Sequence, residues 1–262
     1  MKIGIAQIDC DPGNVDANLE KISLFVDKAQ KQNCRMVVFP EMVDTGYQMD
    51  AIRRSASAWK GGPFNTLKNL AAENNLYIAA GISEQVEEQI YNSMAVFSPE
   101  RGLMAKYRKI HLADYPPLNE GSEIVPGNEL VWVEIEGFKF GLMICYDLRF
   151  PEMSRSLAVN GADVLLLVSA WPFPRNVHYD LLTRTRAVEN QAYFIAANRT
   201  GKDGSFHFCG SSRIADPFGI MVASSAEERE EMIVGELQKE LISSTRKKMP
   251  VFQHRRPTIY KT

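Results

Sequence analysis

Hydrophobic and polar positions along the chain switch repeatedly between a strand-like and a helix-like period. "KIGIAQI", from Lys2 to Ile8, reads as a strand, and the turn "DCDPGN" releases a segment whose Val15, Leu19, Ile22, Phe25, Val26 and Ala29 recur at helical spacing. Asn14 stands where a helix N-cap belongs. "RMVVFPE" reads as a buried strand broken by Pro40. After a polar loop, Pro63 opens a helix carrying Leu67, Leu70 and Ala71 at helical intervals. "LYIAAGI" follows as another strand. This β-α-β-α-β order predicts a sheet with helices packed on a face.

The pattern then turns antiparallel. "IYNSMAVFS" and "GLMAKY" flank the turn "PERG", and "LVWVEI" and "KFGLMIC" flank "EG", so the sheet is expected to be mixed. The second half returns to the helix-then-strand rhythm. "PEMSRSLAVNG" is a helix with Pro151 at its start, "ADVLLLVSA" a strand, "VHYDLLTRTRAVENQ" a helix and "AYFIAAN" a strand. "SSRIADPFGIMVASS" and "EMIVGEL" close the set as strands. No linker, low-complexity segment or fixed-period repeat interrupts the chain, which predicts one domain over residues 1–262. The tail from Ser243 to Thr262 shows no clear helical period. It carries Arg246, Lys247, Lys248, Arg255 and Arg256, and reads as a solvated face or an arm onto a second subunit.

Composition narrows the partners. With 45% hydrophobic and 24% charged residues, the 262-residue chain is ordinary globular material with room for a sizeable core. A formal net charge of -2 and only four histidines favour neither nucleic acid nor an anionic membrane, so a small molecule is the expected partner. Cys10, Cys34, Cys145 and Cys209 are widely spaced with no C-x-x-C pair. That spacing indicates neither a zinc knuckle nor a disulfide framework and fits a reducing cytoplasm. The N-terminal apolar segment is too short for a signal peptide, and no stretch nears the roughly 18 apolar residues of a membrane span. A soluble cytoplasmic protein is expected.

Three strand ends carry chemistry, which is where reactive residues of α/β sheets collect. Glu41 ends "RMVVFPE", Lys109 follows the strand in "KYRKIHL", and Cys145 ends the apolar run of "GLMICYDLRFPE". Singly, each has an ordinary reading as a surface acid, a solvated lysine or a core cysteine. Together they would make a covalent catalyst. A thiol of ordinary pKa is only partly ionised near neutrality, and a neighbouring base and ammonium raise its effective nucleophilicity. Cys145 would attack a carbonyl carbon, while Lys109 and a backbone N–H near Tyr146 would hold the oxyanion. Glu41 would carry protons from the thiol to the leaving amine and later activate water. The scheme calls for no metal and no cofactor.

"FPEMVDTGY", "KYRKIHL", "EGSEIVPG" and "GLMICYDLRFPE", in this order, resemble the carbon–nitrogen hydrolases of the nitrilase superfamily. The resemblance runs from "IGIAQ" to "GSSRIADPFG". It implies a four-layer α-β-β-α sandwich with mixed sheets, commonly a homodimer or higher homo-oligomer with the C-terminal arm reaching the neighbour. It also implies Glu41 as base, Lys109 as electrostatic stabiliser and Cys145 as nucleophile. Glu120 matches a second glutamate that positions the lysine and the substrate.

Within the superfamily, "CYDLRFPE" departs from the Cys-Trp-Glu of true nitrilases, and Leu148 and Arg149 depart from the paired arginines of the N-carbamoyl-D-amino acid hydrolases. "SAWPFPR" and "RAVENQAYFIAANRTGKDG" look most like the ω-amidase branch, which cleaves the terminal amide of 2-oxo dicarboxylic acid monoamides. A substrate of this class keeps a carboxylate at its far end, and Arg175, in "WPFPRN", is the expected clamp. Tyr47, Phe150 and Trp171 are expected to line the pocket with Tyr146. Arg149 and Glu152 are expected to form a structural ion pair that fixes the turn after the nucleophile, and Glu189 to be structural. An N-carbamoyl amidohydrolase, and a catalytically inactive binding module of the same fold, are the alternatives.

Overall fold

The structure, a computed structural model, describes residues 1–260. Its first half lays down β1 (Lys2–Gln7), α1 (Val15–Lys31), β2 (Met36–Val38), α2 (Met49–Ser55), β3 (Ser57–Ala58), α3 (Gly62–Asn74), β4 (Tyr77–Val86), β5 (Gln89–Ser98) and β6 (Gly102–Arg108). A small hairpin, β7 (Asp114–Tyr115) and β8 (Leu118–Asn119), leads into β9 (Trp132–Ile135), β10 (Phe138–Ile144), α4 (Pro151–Val159), β11 (Val164–Ser169), α5 (Asn176–Asn190) and β12 (Tyr193–Asn198). A second hairpin, β13 (Lys202–Asp203) and β14 (Phe206–His207), precedes β15 (Arg213–Ala215), β16 (Met221–Ser224), β17 (Glu231–Glu236) and α6 (Lys239–Lys248).

Two mixed sheets result. One runs β17-β1-β2-β4-β5-β6, with β3 pairing β4, and the other runs β16-β15-β12-β11-β10-β9. The period of two along each strand sorts its side chains into two cores. In the first sheet Ile3, Ile5, Met36, Val38, Ala79, Met94 and Val96 join the core shared with the second sheet. The alternate residues Val37, Ile78, Ala80, Ala95 and Phe97 pack with Ile22, Phe25, Leu67 and Leu70 of α1 and α3. Helices α4 and α5 cover the outer face of the second sheet through Met153, Leu157, Tyr179 and Ala187. The order is therefore α-β-β-α. Each large apolar side chain buried this way contributes about 1.5–3 kcal/mol, and the near-continuous apolar strands β11 and β12 are those covered on both faces.

Local chemistry sets the helix ends. Asn14 caps α1 by accepting from the Ala17 N–H at 3.4 Å, Pro63 and Pro151 sit in the first turns of α3 and α4, and Asn75 and Gln191 end α3 and α5 in the left-handed region.

The structure departs from the sequence reading in two elements. The stretch expected to be a polar loop before Pro63 holds α2 and β3, because Ala51 and Ile52 bury one short face. The tail expected to lack helical structure begins inside α6, where Ile242 and Thr245 are buried and Arg246 donates to the carbonyls of Ala162 (2.7 Å) and Gln191 (3.2 Å). This part of the basic tail is tied to its own chain. Thr262, the end expected for the arm, lies outside the described residues.

Gly81 on β4 is required by a close approach. Its N–H donates to the Pro40 carbonyl at 3.0 Å, and its own carbonyl accepts from Val43 at 2.8 Å. A Cβ here would stand 2.5 Å from the Cα of Glu41 and 2.8 Å from the Pro40 oxygen, both backbone atoms that cannot swing aside. Gly81→Ala is expected to lower stability by about 1–3 kcal/mol and to reduce activity by displacing the Glu41 turn. Gly62→Ala, where nothing lies within 4 Å, is the control and should melt at or slightly above the wild-type temperature. Thermal melts and activity of both variants check this, and wild-type behaviour of Gly81→Ala would contradict it.

Candidate active site

Strands β1, β2 and β4 run parallel in one sheet and β10, β11 and β12 in the other, so their carboxyl ends gather loops at one edge. Three turns there present the charged groups. The first follows β2, where residues 41–45 are pinned to β4 by the Gly81 bonds and by Asp44. The buried Asp44 carboxylate accepts from the Ser83 N–H at 3.0 Å and hydroxyl at 2.6 Å, and burial pushes it up to about 6. The second follows β6 and carries Lys109, whose N–H donates to the Asn92 carbonyl at 2.9 Å.

The third follows β10. Cys145 adopts φ +44°, in the left-handed region, and opens a short 3-10 turn from Cys145 to Arg149. That conformation costs a non-glycine residue on the order of 1–3 kcal/mol, and it persists only where surrounding bonds over-determine it. Asp147 supplies those bonds. Its fully buried carboxylate accepts from the Ile144 N–H (2.8 Å), the Tyr107 hydroxyl (2.6 Å) and the His111 N–H (3.1 Å), with the His111 Nδ1 at 2.7 Å. Tyr107 and His111 flank Lys109 on the chain, so one carboxylate ties the lysine segment to the cysteine turn.

At the centre Lys109 lies between two carboxylates, with Nζ 3.0 Å from Glu41 Oε1 and 2.7 Å from Glu120 Oε1. All three side chains have no exposure. Asn92 Nδ2 also donates to Glu41 Oε1 at 2.6 Å, and the other two oxygens are satisfied by backbone, the Ala170 N–H donating to Glu41 Oε2 at 2.7 Å and the Ala113 N–H to Glu120 Oε2 at 2.5 Å. Asn198 steadies the loop that brings Ala170 in, accepting from the Trp171 N–H at 2.7 Å.

The shifts follow from burial. Burial raises Glu41 above the ordinary carboxylate range and the Glu120 charge adds to it, while the Lys109 ammonium and the Asn92 bond oppose. Burial lowers Lys109, but Glu120 and Glu41 outweigh it and hold the ammonium well above its usual value. Burial, then the Glu41 charge, holds the Cys145 thiol well above its usual range against the pull of Lys109. The resting site is a neutral thiol near an ion cluster whose carboxylate Glu41 is more basic than usual.

Above Cys145 lies a narrow cavity lined by Tyr47, Ala113, Tyr115, Leu118, Tyr146, Arg149, Ala170, Trp171, Pro172 and Arg175. Tyr146, Arg175, Trp171 and Tyr47, expected as pocket residues, are among those lining it. Phe150 does not line the cavity: its ring stacks on His111 at 3.7 Å and meets Tyr146 edge-on. No Arg149–Glu152 pair forms either. The Arg149 guanidinium lies over the Trp171 ring at 4.6 Å, and the residue lines the cavity. Glu189 pairs with Arg186 at 2.9 Å.

Sequence reading missed Asn92, Tyr115, Leu118 and Asp147. Asn92 had a signal, as a lone amide inside the apolar strand "IYNSMAVFS"; the Ala113 and Ala170 N–H groups had none, because every residue but proline carries one. Tyr47 is itself held from behind, its N–H donating to Asp203 at 2.6 Å while Asp203 pairs with the buried Arg199 at 2.5 Å.

The pattern of the carbon-nitrogen hydrolase family matches residues 2–247. The chain belongs to that family. It is 32% identical over 266 residues to the 2-oxoglutaramate amidase of Bacillus subtilis (strain 168), covering 98% of each. It is 31% identical to omega-amidase NIT3 of Saccharomyces cerevisiae over 99% of this chain and 94% of that one. The crystal structure of Saccharomyces cerevisiae Nit3, a member of branch 10 of the nitrilase superfamily, shares the fold with a TM-score of 0.87 at 31% identity, covering 97% of both chains.

Asn92 gives a test with a definite sign. Its bond stabilises the charged form of Glu41, so Asn92→Ala raises that carboxyl further. A base must be deprotonated to act, and the acid limb of the kcat/KM–pH profile should therefore move to higher pH. An unmoved limb would show that Glu41 does not govern it.

Proposed function

We propose that the protein hydrolyses the terminal amide of a small carboxylate-bearing amide of the 2-oxoglutaramate type, releasing the dicarboxylate and ammonia through a thioester on Cys145. The observation that carries this reading is the convergence of Glu41, Lys109 and Cys145 beneath a small cavity whose walls hold two guanidinium groups. Kinship with a 2-oxoglutaramate amidase and an omega-amidase supports the choice of amide.

The steps follow from the groups in place. Glu41 takes the Cys145 proton as Sγ attacks the amide carbon, so the high thiol pKa is met by an adjacent base of raised basicity. The oxyanion forms beside the Lys109 ammonium and the Tyr146 N–H, in a site where burial strengthens every charge interaction. Protonated Glu41 gives its proton to the leaving nitrogen, the C–N bond breaks, and ammonia departs. Water then loses a proton to Glu41 and attacks the thioester. The C–S bond breaks, and the sulfur recovers the proton from Glu41 as the acid leaves.

Glu120 holds Lys109 from the other side and keeps it charged, and the Arg175 guanidinium receives the far carboxylate. An N-carbamoyl amino acid would place a carboxylate in the same clamp, which makes it the second reading. A homo-oligomer in a reducing compartment belongs to the same proposal. Its support is the exposed apolar row Val177, Leu181 and Val188 on α5 and the free state of all four cysteines. No helix among the described residues is long and apolar enough to cross a membrane.

Ammonia release from 2-oxoglutaramate, an N-carbamoyl amino acid and a simple nitrile tests the reading. Wild-type protein should turn over the 2-oxo amide fastest, Cys145→Ala should fall to background, and Lys109→Met should lose about 10²–10³-fold in kcat. Arg175→Ala should raise KM about 10–100-fold, the cost of a charged hydrogen bond. Preference for the carbamoyl compound would keep the three central residues and discard the substrate.

A further inference from the structure

A second buried ion pair lies apart from Glu41, Lys109 and Glu120. It joins Arg199, just after β12, to Asp203 in β13, and both side chains are fully buried. The Arg199 guanidinium holds both oxygens of Asp203, Nη1 to Oδ2 at 2.5 Å and Nη2 to Oδ1 at 3.0 Å. Nη2 also donates to Asp9 Oδ1 at 2.8 Å and to the Cys10 carbonyl at 3.0 Å, and the guanidinium lies over the Phe208 ring at 4.3 Å. The backbone is fixed as well. The Arg199 N–H donates to the Ser169 carbonyl at the end of β11, and the Thr200 N–H to the Ile8 carbonyl just past β1, both at 3.1 Å.

A buried ion pair is a weak source of stability, since well-packed apolar residues of similar volume often do as well. What apolar residues cannot do is accept a directed hydrogen bond. Asp203 Oδ2 accepts one from the Tyr47 N–H at 2.6 Å. The chain runs close there: Gly46 has φ +73°, and a Cβ on it would stand 3.3 Å from the same Oδ2 and 3.0 Å from the Pro12 Cα. The Tyr47 ring packs edge-on against Phe206, the strand partner of Asp203, and against Phe208, the ring that Arg199 covers, with centres 6.3 and 6.1 Å away. The pair and its hairpin therefore set both the backbone and the ring of Tyr47.

That ring lines the cavity together with Cys145. Burial, then the charges of Glu120, Glu41 and Cys145, hold the Tyr47 phenol well above its usual value, which puts the ring at the reacting end of the cavity. A wall at that end sets the approach of the amide carbon to the thiol, and a small displacement there is felt in the rate of any amide. We infer that Asp203, oriented by Arg199, is a positioning residue for the amide chemistry, fixing Tyr47 as the wall against which the scissile amide is held. This rests on the amide reading above.

The test uses two double variants that remove the charge pair and differ in the acceptor. Arg199→Met with Asp203→Asn keeps an amide oxygen for the Tyr47 N–H, and Arg199→Met with Asp203→Leu does not. Both kcat and KM are read on 2-oxoglutaramate and propionamide, with melting temperatures to confirm folding. The leucine pair should lose about 10–100-fold in kcat on both amides, and the asparagine pair should recover most of that loss. In a Tyr47→Ala background the leucine pair should cost little more, because residues in contact that act as a unit are not additive. Arg199→Lys is the second probe should the leucine pair not fold: a point charge cannot hold both oxygens of Asp203, so kcat should fall, and again not in the Tyr47→Ala background. Equal losses in the two pairs, or losses that add to that of Tyr47→Ala, would overturn the assignment and leave the ion pair as support for the fold. Wild-type kcat in the leucine pair or in Arg199→Lys would overturn it while the amide reading stands. Wild-type protein that turns over neither amide would overturn the amide reading and the inference together.

Discussion

The Lys109 ammonium, buried between the Glu41 and Glu120 carboxylates, is the interaction on which the rest of the structure depends. Removing three charges from water is unfavourable by several kcal/mol each, and their attraction offsets this only where geometry is good and the spare lone pairs are satisfied. That requirement reaches far along the chain. Asn92, Ala113 and Ala170 come from β5, the segment before β7 and the loop after β11, and each supplies a donor to one of the two carboxylates. Residues separated by as many as 129 positions must meet within hydrogen-bond distance, so the cluster forms only when both sheets have packed.

Two sheets packed face to face, with parallel strands ending at the same edge, meet this demand. Rigid strands carry the turns, and each turn is fixed a second time: Gly81 and Ser83 hold the Glu41 turn, Asp147 holds the Cys145 turn and ties it to the lysine segment, and Asn198 holds the loop of Ala170. A strained left-handed cysteine is affordable in that setting. On the reading proposed above, the fixed turn holds the nucleophile at the cavity wall, a form of preorganisation that a loop alone would not provide.

Much of this was legible in the sequence. Period-two apolar runs and proline-opened helices marked nearly every long element, and Glu41, Lys109 and Cys145 stood at strand ends where apolar runs stop. What escaped is what periodicity does not encode. Helix α2 is too short to establish a period, and α6 shows one buried pair, Ile242 and Thr245, against a basic background. Arg149 ends the 3-10 turn and Phe150 follows it in extended backbone, where side-chain direction changes sharply from residue to residue; no sequence period shows that the arginine lines the cavity while the phenylalanine stacks on His111. Backbone donors such as Ala170 carry no side-chain signature at all.

The central claim is that Cys145 forms a bond to the acyl group while Glu41 and Lys109 manage its protons and charge. Its most direct test is the mass of the intact protein quenched in acid during turnover of 2-oxoglutaramate, followed by mapping of any added mass to a peptide. A 2-oxoglutaryl adduct on the peptide containing Cys145, absent from Cys145→Ala and diminished in Glu41→Gln, is the predicted result. Full-rate ammonia release by Cys145→Ala, or an adduct on another residue, would contradict it.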